Sequence, residues 1–327
     1  MVSEDVFAGD QAYRAKTLRL ESRVGVRLLR QTFDWASIER SPHSYDFSAY
    51  DDYVAQTAKQ RMRVLAILFD PPSFRSSRPE RRAARGTYPP RDPRAMGDFA
   101  AALVRRYGPH GSLWSERPEL PKAPIRAWQV WNEPSLPAYW PAGPDPAQYT
   151  RLLRATSRAI KRVDPGAEVV AAGLPESRLG IPFGEYLTGM YRAGASRWFD
   201  TLAIHPFARD EKGVIAAVSE GRSIMSAHGD AGKAIWVTEV GWATGGPGSP
   251  FTVGETGQAE RIARTIALLA ERRDALRVRG FVYFDWKDAP PYPGTPDFWG
   301  LHTGLLDIDG HPKPGLAAFR RAARALR

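Results

Sequence analysis

The sequence contains no cysteine. That excludes disulfides, thiolate metal sites and a cysteine nucleophile. It leaves the redox compartment open, because a chain long enough for a large core needs no covalent staples. No run of about 18 apolar residues occurs, so no transmembrane helix is expected. No Gly-x-Gly-x-x-Gly follows the first predicted strand, which weighs against a dinucleotide-binding fold. The six histidines, at positions 43, 110, 205, 228, 302 and 311, show neither His-x-x-x-His nor His-x-His spacing. No metal site and no cofactor are therefore expected. Internal repeats and low-complexity linkers are also absent. No signal peptide is visible at Met1. The first strand would have to lie almost at the terminus, around Val2–Ala8, as it would if a leader had been trimmed. Secreted and cytoplasmic locations, and the oligomeric state, stay open.

Negative charge is in short supply: 46 Lys and Arg face 36 Asp and Glu, a formal net charge of +10. Such a field can favour an acidic polymer. The arginine pairs Arg81-Arg82, Arg105-Arg106, Arg272-Arg273 and Arg320-Arg321 are scattered, however, and dispersed charge makes no binding stripe. No nucleic-acid partner is expected, and a polyanion-binding protein is kept only as an outlying alternative.

What is present is alternation. Near-continuous apolar runs fall at Val26–Thr32, Val64–Phe69, Ile125–Val130, Val169–Ala172, Thr201–His205, Ile235–Thr238 and Phe281–Phe284. Such runs suit parallel strands buried on both faces. Amphipathic helical patterns lie between them. One opens on Asp145-Pro146, an N-cap followed by proline at the first helical position. With a first strand near Val2 the count is eight βα units, which predicts a closed (β/α)8 barrel. A chain of 327 residues holds one such barrel of roughly 250 residues plus loops, so residues 1–327 are read as a single domain. Two proline-stiffened segments, Asp70–Arg94 and Lys287–Thr303, directly follow strands and belong to the face where barrel active sites sit.

Polar groups at the ends of buried strands carry the chemistry. Glu133 follows Trp128-Gln129-Val130-Trp131-Asn132, and Glu239 follows Ile235-Trp236-Val237-Thr238. Two carboxyl groups flanking one sugar bond are the minimum equipment for glycoside hydrolysis: one protonates the leaving oxygen, the other meets the oxocarbenium carbon. Ten tryptophans accompany them. Trp35, Trp131, Trp140, Trp242, Trp286 and Trp299 fall at or just past strand ends. Any one can serve in the core, while the set together points to a sugar cleft.

These residues carry a resemblance. Asn132-Glu133-Pro134 after a fourth strand and Thr238-Glu239 after a seventh are similar to the motifs of clan A glycoside hydrolases. Thr32-Phe33-Asp34-Trp35-Ala36-Ser37-Ile38-Glu39 and Tyr45-Asp46-Phe47 resemble families 39 and 5. The resemblance implies a TIM barrel, a retaining double displacement on a β-linked glycan or glycoside, Glu133 as acid/base and Glu239 as nucleophile. It places Arg30 beside the nucleophile, His205 at the sixth strand and Trp286 under the reacting sugar. Asn132, Trp35 and Trp131 join the substrate-binding set. Phe207 departs from the pattern, since a tyrosine often stands there, and Tyr283 is a candidate replacement. Asn132 can bond a sugar 2-hydroxyl, Arg30 can favour the Glu239 carboxylate, and Trp131 or Trp140 can wall Glu133. Asp34, Asp70, Asp285, Lys287 and Asp288 are further cleft candidates. A non-catalytic carbohydrate-binding barrel is the alternative from a different class, because a fold does not by itself give a function. A retaining site requires the Glu133 and Glu239 carboxyl groups about 5–5.5 Å apart.

Overall fold

The computed structural model describes every residue except 8, 82–86, 293 and 327. Seven strands form one parallel sheet in strict sequential order. They are β1 (Leu28–Asp34), β2 (Arg63–Phe69), β3 (Ala127–Val130), β4 (Glu168–Pro175), β5 (Thr201–His205), β6 (Ala234–Val237) and β7 (Val278–Phe281). Helices alternate with them: α1 (Gln11–Val24), α2 (Ser48–Lys59), α3 (Pro93–Tyr107), α4 (Pro146–Val163), α5 (Phe183–Arg192), α6 (Glu211–Ala227), α7 (Gly254–Glu271) and α8 (Pro314–Ala325). The predicted start of α4 is present, with the Asp145 carboxylate accepting from the N–H groups of Ala147 and Gln148.

The sheet curls, and its apolar side chains separate into two sets. Leu28, Leu65, Ala127, Val170, Ala203 and Trp236 give one residue from each of six strands to the inside of the curl, together with Val2 and Val282. The larger set lies between the sheet and the helices. Because side chains alternate along a strand, residues two positions beyond the inner layer point the same way. That rule brings Arg30, Gln129 and His205 above Leu28, Ala127 and Ala203.

Each of the seven internal strand expectations is met within three residues. The run Phe281–Phe284 begins where β7 ends. Beyond that point Val282 still donates to Val237 O and Phe284 to Val240 O. The expected strand at Val2–Ala8 is not formed as such. Val2 alone bridges Arg30, its N–H donates to Tyr283 O, and the Trp286 N–H donates to Val2 O. Glu4–Phe7 then form a 3-10 turn. The acidic pair Glu4-Asp5 interrupts the apolar alternation there, and the chain turns toward the Asp10 cap of α1. Residue 8 lies outside the described residues.

Candidate active site

Glu133 follows β3 in a left-handed backbone conformation, with φ 44°, and Trp131 shares that region at φ 72°. Neither is glycine, so packing and hydrogen bonds must hold both. The Trp131 N–H donates to Leu68 O at 3.0 Å and the Glu133 N–H to Gly173 O at 3.2 Å. Trp131 Nε1 donates to Tyr139 O at 2.9 Å. The turn is thereby tied to β2, to β4 and to its own loop, and it delivers the Glu133 carboxyl to the mouth of the curl.

Glu239 arrives from the end of β6, where Arg30 and His205 meet it. Arg30 Nη1 lies 2.5 Å from Glu239 Oε1, its Nη2 donates to Asn132 Oδ1 at 2.6 Å, and its Nε donates to Gln129 Oε1 at 3.0 Å. Gln129 in turn donates to Trp131 O at 2.9 Å. His205, wholly buried, places Nδ1 2.7 Å from Glu133 Oε1 and Nε2 3.6 Å from Glu239 Oε1. Gly173 makes room for that ring: a Cβ at this position would sit 1.9 Å from His205 Nε2.

A carboxylate oxygen of Glu133, one of Glu239 and a ring nitrogen of His205 all lie within 4.8 Å of one another. Three such ligand atoms could close on one ion, but the Arg30 guanidinium already sets a fixed cation against Glu239. A second such group, Asp307, Asp309 and His311, is a surface turn in which the Asp307 carboxylate accepts from the other two N–H groups.

Burial dominates the electrostatics. It pushes the Glu133 carboxyl up to about 7, against a smaller opposing pull from Arg30. Burial also raises Glu239; His205 and Arg30 work against it, and Glu133 adds to it. Arg30 was expected to favour the Glu239 carboxylate, and its pull has that sign, but desolvation outweighs it. Burial drives His205 down to about 3, so its ring is neutral.

The remaining candidates divide. Asn132 and Trp131 are at the site. Trp35 is wholly buried, stacked on Phe99 at 5.1 Å and donating to Glu39. Trp286 is 2% exposed and belongs, like Trp131, to the larger apolar cluster. Tyr283, the suggested replacement for a tyrosine at Phe207, is buried in that same cluster and donates to Thr303 O. It faces away from the inside of the curl, because Val282 takes the inward position. Tyr139 is the hydroxyl that senses the site: burial raises its pKa, with Glu133 and Glu239 adding to the rise. Aromatic surface at the mouth comes from Phe207, which meets Trp299 at 5.0 Å and Phe284 at 6.1 Å, and from Phe251, 4.6 Å from Trp299. Of the expected tryptophan set, Trp299 keeps partial exposure, while Trp140 and Trp242 are buried. A cavity of about 970 Å³ opens at the opposite end, among the strand starts Arg63, Glu168, Thr201 and Val278, away from these groups.

This architecture has solved counterparts. A family 39 glycoside hydrolase from the gut symbiont Bacteroides cellulosilyticus WH2 superposes with a TM-score of 0.68 at 20% identity, covering 98% of this chain and 62% of that one. A glucosidase from Croceicoccus marinus gives 0.69 at 19% identity, with 94% and 63% covered. A monomeric beta-xylosidase from Caulobacter crescentus CB15 gives 0.69 at 19% identity, with 98% and 66% covered. The chain shares its fold with these solved glycoside hydrolases. It spans less than two thirds of the length of each of these three structures. No family model and no curated protein sequence matches it.

Proposed function

We propose that the protein is a retaining glycoside hydrolase acting on a β-linked glycan or glycoside. On this reading the chain is a single (β/α)8 catalytic domain, with Met1–Ser3 in the place of the eighth strand. The observation that carries the reading is the approach of Glu133 and Glu239 at two strand ends, with carboxylate oxygens within 4.8 Å. That supports direct attack, for which carboxyl groups stand about 5–5.5 Å apart, over inversion, which needs about 6.5–9.5 Å.

Glu133, held protonated by burial up to near neutral pH, gives its proton to the glycosidic oxygen as the bond to the anomeric carbon breaks. Glu239 closes on that carbon and forms the glycosyl-enzyme. In the second step the Glu133 carboxylate takes a proton from water, water attacks the same carbon, and Glu239 leaves. His205 suits this division. Neutral imidazole has one donor and one acceptor nitrogen. With Nδ1 accepting from protonated Glu133, Nε2–H points at the Glu239 carboxylate. Asn132, held by Arg30, is placed to bond a sugar 2-hydroxyl, and Trp131 walls the acid.

A dinitrophenyl β-glycoside separates the two roles, because its leaving group departs unaided. Glu133→Ala should form the glycosyl-enzyme and stall, and azide should release it as the β-glycosyl azide. Glu239→Ala lacks the attacking atom and should yield at most the α-azide. The reverse pattern would exchange the two assignments. Full activity in either variant would remove that residue from the mechanism.

A further inference from the structure

A cavity of about 530 Å³ lies between the Glu4–Phe7 turn and the chain after β7, within the size range of small-ligand sites. Four carboxyl groups line it: Glu4, Asp5, Asp285 and Asp288. Three of them have partners. Glu4 accepts from the Tyr292 hydroxyl at 3.1 Å, and Asp5 accepts from Tyr13. Asp288 accepts from Lys313 Nζ at 2.6 Å and from the Gly304 N–H at 2.8 Å. Asp285 is different. It is 8% exposed, and its Oδ1 is buried with no hydrogen-bond partner among the described residues. Lys287 is the one cation among the lining residues.

A carboxyl group buried without a partner beside three like charges is costly to keep. Burial, Glu4, Asp288 and Asp5 all push Asp285 well above its ordinary value, and only Lys313 pulls it down. A bound cation would give Asp285 the partner it lacks and offset the like charges of Glu4 and Asp5 beside it. Among the described residues these oxygens do not close to within single-ion distance, a property confined to the two groups given above. The cation that suits them is therefore one that donates hydrogen bonds to separate carboxyl groups, as an ammonium group does with its three N–H donors.

The cavity stands beyond the end of β7, at the same end of the parallel sheet as the glutamate pair. Asp285 follows Phe284, whose ring packs on the inner layer and against Phe207. The Tyr139 hydroxyl feels Glu133, Glu239, Glu4 and Tyr292 together. We infer that this cavity is a subsite for a sugar carrying a protonated amino group, held by Asp285 and Glu4. The inference rests on the glycoside hydrolase reading and narrows its substrate to amino-sugar glycans.

The test is a calorimetric titration of the full chain with the tetramer of β-1,4-linked glucosamine and, separately, with its fully N-acetylated form. The two differ in charge and in the acetyl group, and binding is read without any hydrolysis. The amino form should bind about ten-fold tighter or more, as a charge-assisted contact implies. Asp285→Asn should erase most of that ratio. Glu4→Gln, at an exposed position, should reduce it several-fold with little risk to folding, and added salt should weaken the amino form selectively. Equal binding of the two tetramers would overturn the proposal, as would an unchanged ratio in both variants. A chain that prefers the amino tetramer but fails the azide experiment would keep this subsite and lose the hydrolase reading.

Discussion

Replacing Glu133 by glutamine should make the protein more stable, and only above a defined pH. Burial carries the Glu133 carboxyl from its ordinary 4.5 to about 7. At 1.36 kcal/mol per tenfold change this corresponds to about 3 kcal/mol. Below about pH 4.5 folded and unfolded chains both hold the proton, and the residue is neutral to stability. As the pH rises the unfolded chain ionises first while the folded site resists. Stability is therefore lost progressively until the pH passes about 7, where the folded group ionises too. Glu133→Gln keeps a neutral side chain of the same shape and escapes that loss. The variant and the wild type should melt together near pH 4 and diverge by roughly 5 °C at pH 8, given the entropy of a domain this large. Asp70 and Glu21, raised to about 7 and about 8 by burial, titrate in the same window in both proteins and cancel in the difference. Melting curves of the pair from pH 4 to 8 measure it. A gap independent of pH, or a wild type that is the more stable at pH 8, would refute the reasoning. On the proposed mechanism the same proton sets the alkaline limb of kcat/KM, which should fall above about pH 7.

Arg30→Ala should raise the Glu239 pKa further, shift the acid limb of the pH–rate profile upward and cut kcat/KM by about two orders of magnitude with the fold intact. An acid limb that stays in place would detach Arg30 from Glu239. Gly173→Ala sets a methyl group 1.9 Å from His205 Nε2. The ring must yield, and kcat/KM should drop by roughly ten-fold or more. Wild-type activity in that variant would show that the position of His205 does not matter to the reaction.

Strand positions were legible because a strand buried on both faces writes itself as an apolar run: six of the seven runs overlap their strands over most of their length, while Phe281–Phe284 shares only Phe281 with β7. The end at Val2 was not, since a single bridging residue leaves no periodicity to read. Glu133, Glu239, Asn132 and His205 come together because each stands at or just beyond a strand end, where sequence position nearly fixes spatial position, and Arg30 joins them from an inward-facing position inside β1. Aromatic roles were harder. Trp35 and Trp286 sit near strand ends too, but one χ rotation or one change of face decides between core and cleft, and sequence spacing does not encode it. Gln129 carried a usable signal, an amide between Trp128 and Val130 inside an apolar strand, since a buried amide must find partners. Gly173 carried none, because a missing side chain is informative only once its neighbour is known. The charge reading also needed space: Arg151, Arg154, Arg158 and Arg162 recur every three or four residues and share the exposed side of α4, a stripe that doublet counting does not reveal.

The backbone adds an independent argument for where function lies. Non-glycine residues with positive φ occur at six described positions. Three are ordinary turn geometry: His43 joins the hairpin strands Glu39–Ser41 and Ser44–Tyr45, Arg61 links α2 to β2, and Arg277 ends a short helix before β7. The other three, Asp70, Trp131 and Glu133, stand directly after β2 and β3 at the site end of the sheet. Each such residue costs on the order of 1 kcal/mol or more, and persists only where its surroundings over-determine it. Here they do. Asp70 O accepts from the Ala36 N–H at 2.8 Å, Trp131 is locked at both its backbone and indole N–H, and Glu133 is tied to Gly173. A chain that only needed to connect β3 to α4 could have done so without these conformations. Strain gathered beside a buried and a partly buried carboxyl group, and held by bonds to neighbouring strands, is what a preorganised site requires: the Glu133 carboxyl is fixed in direction before any ligand arrives.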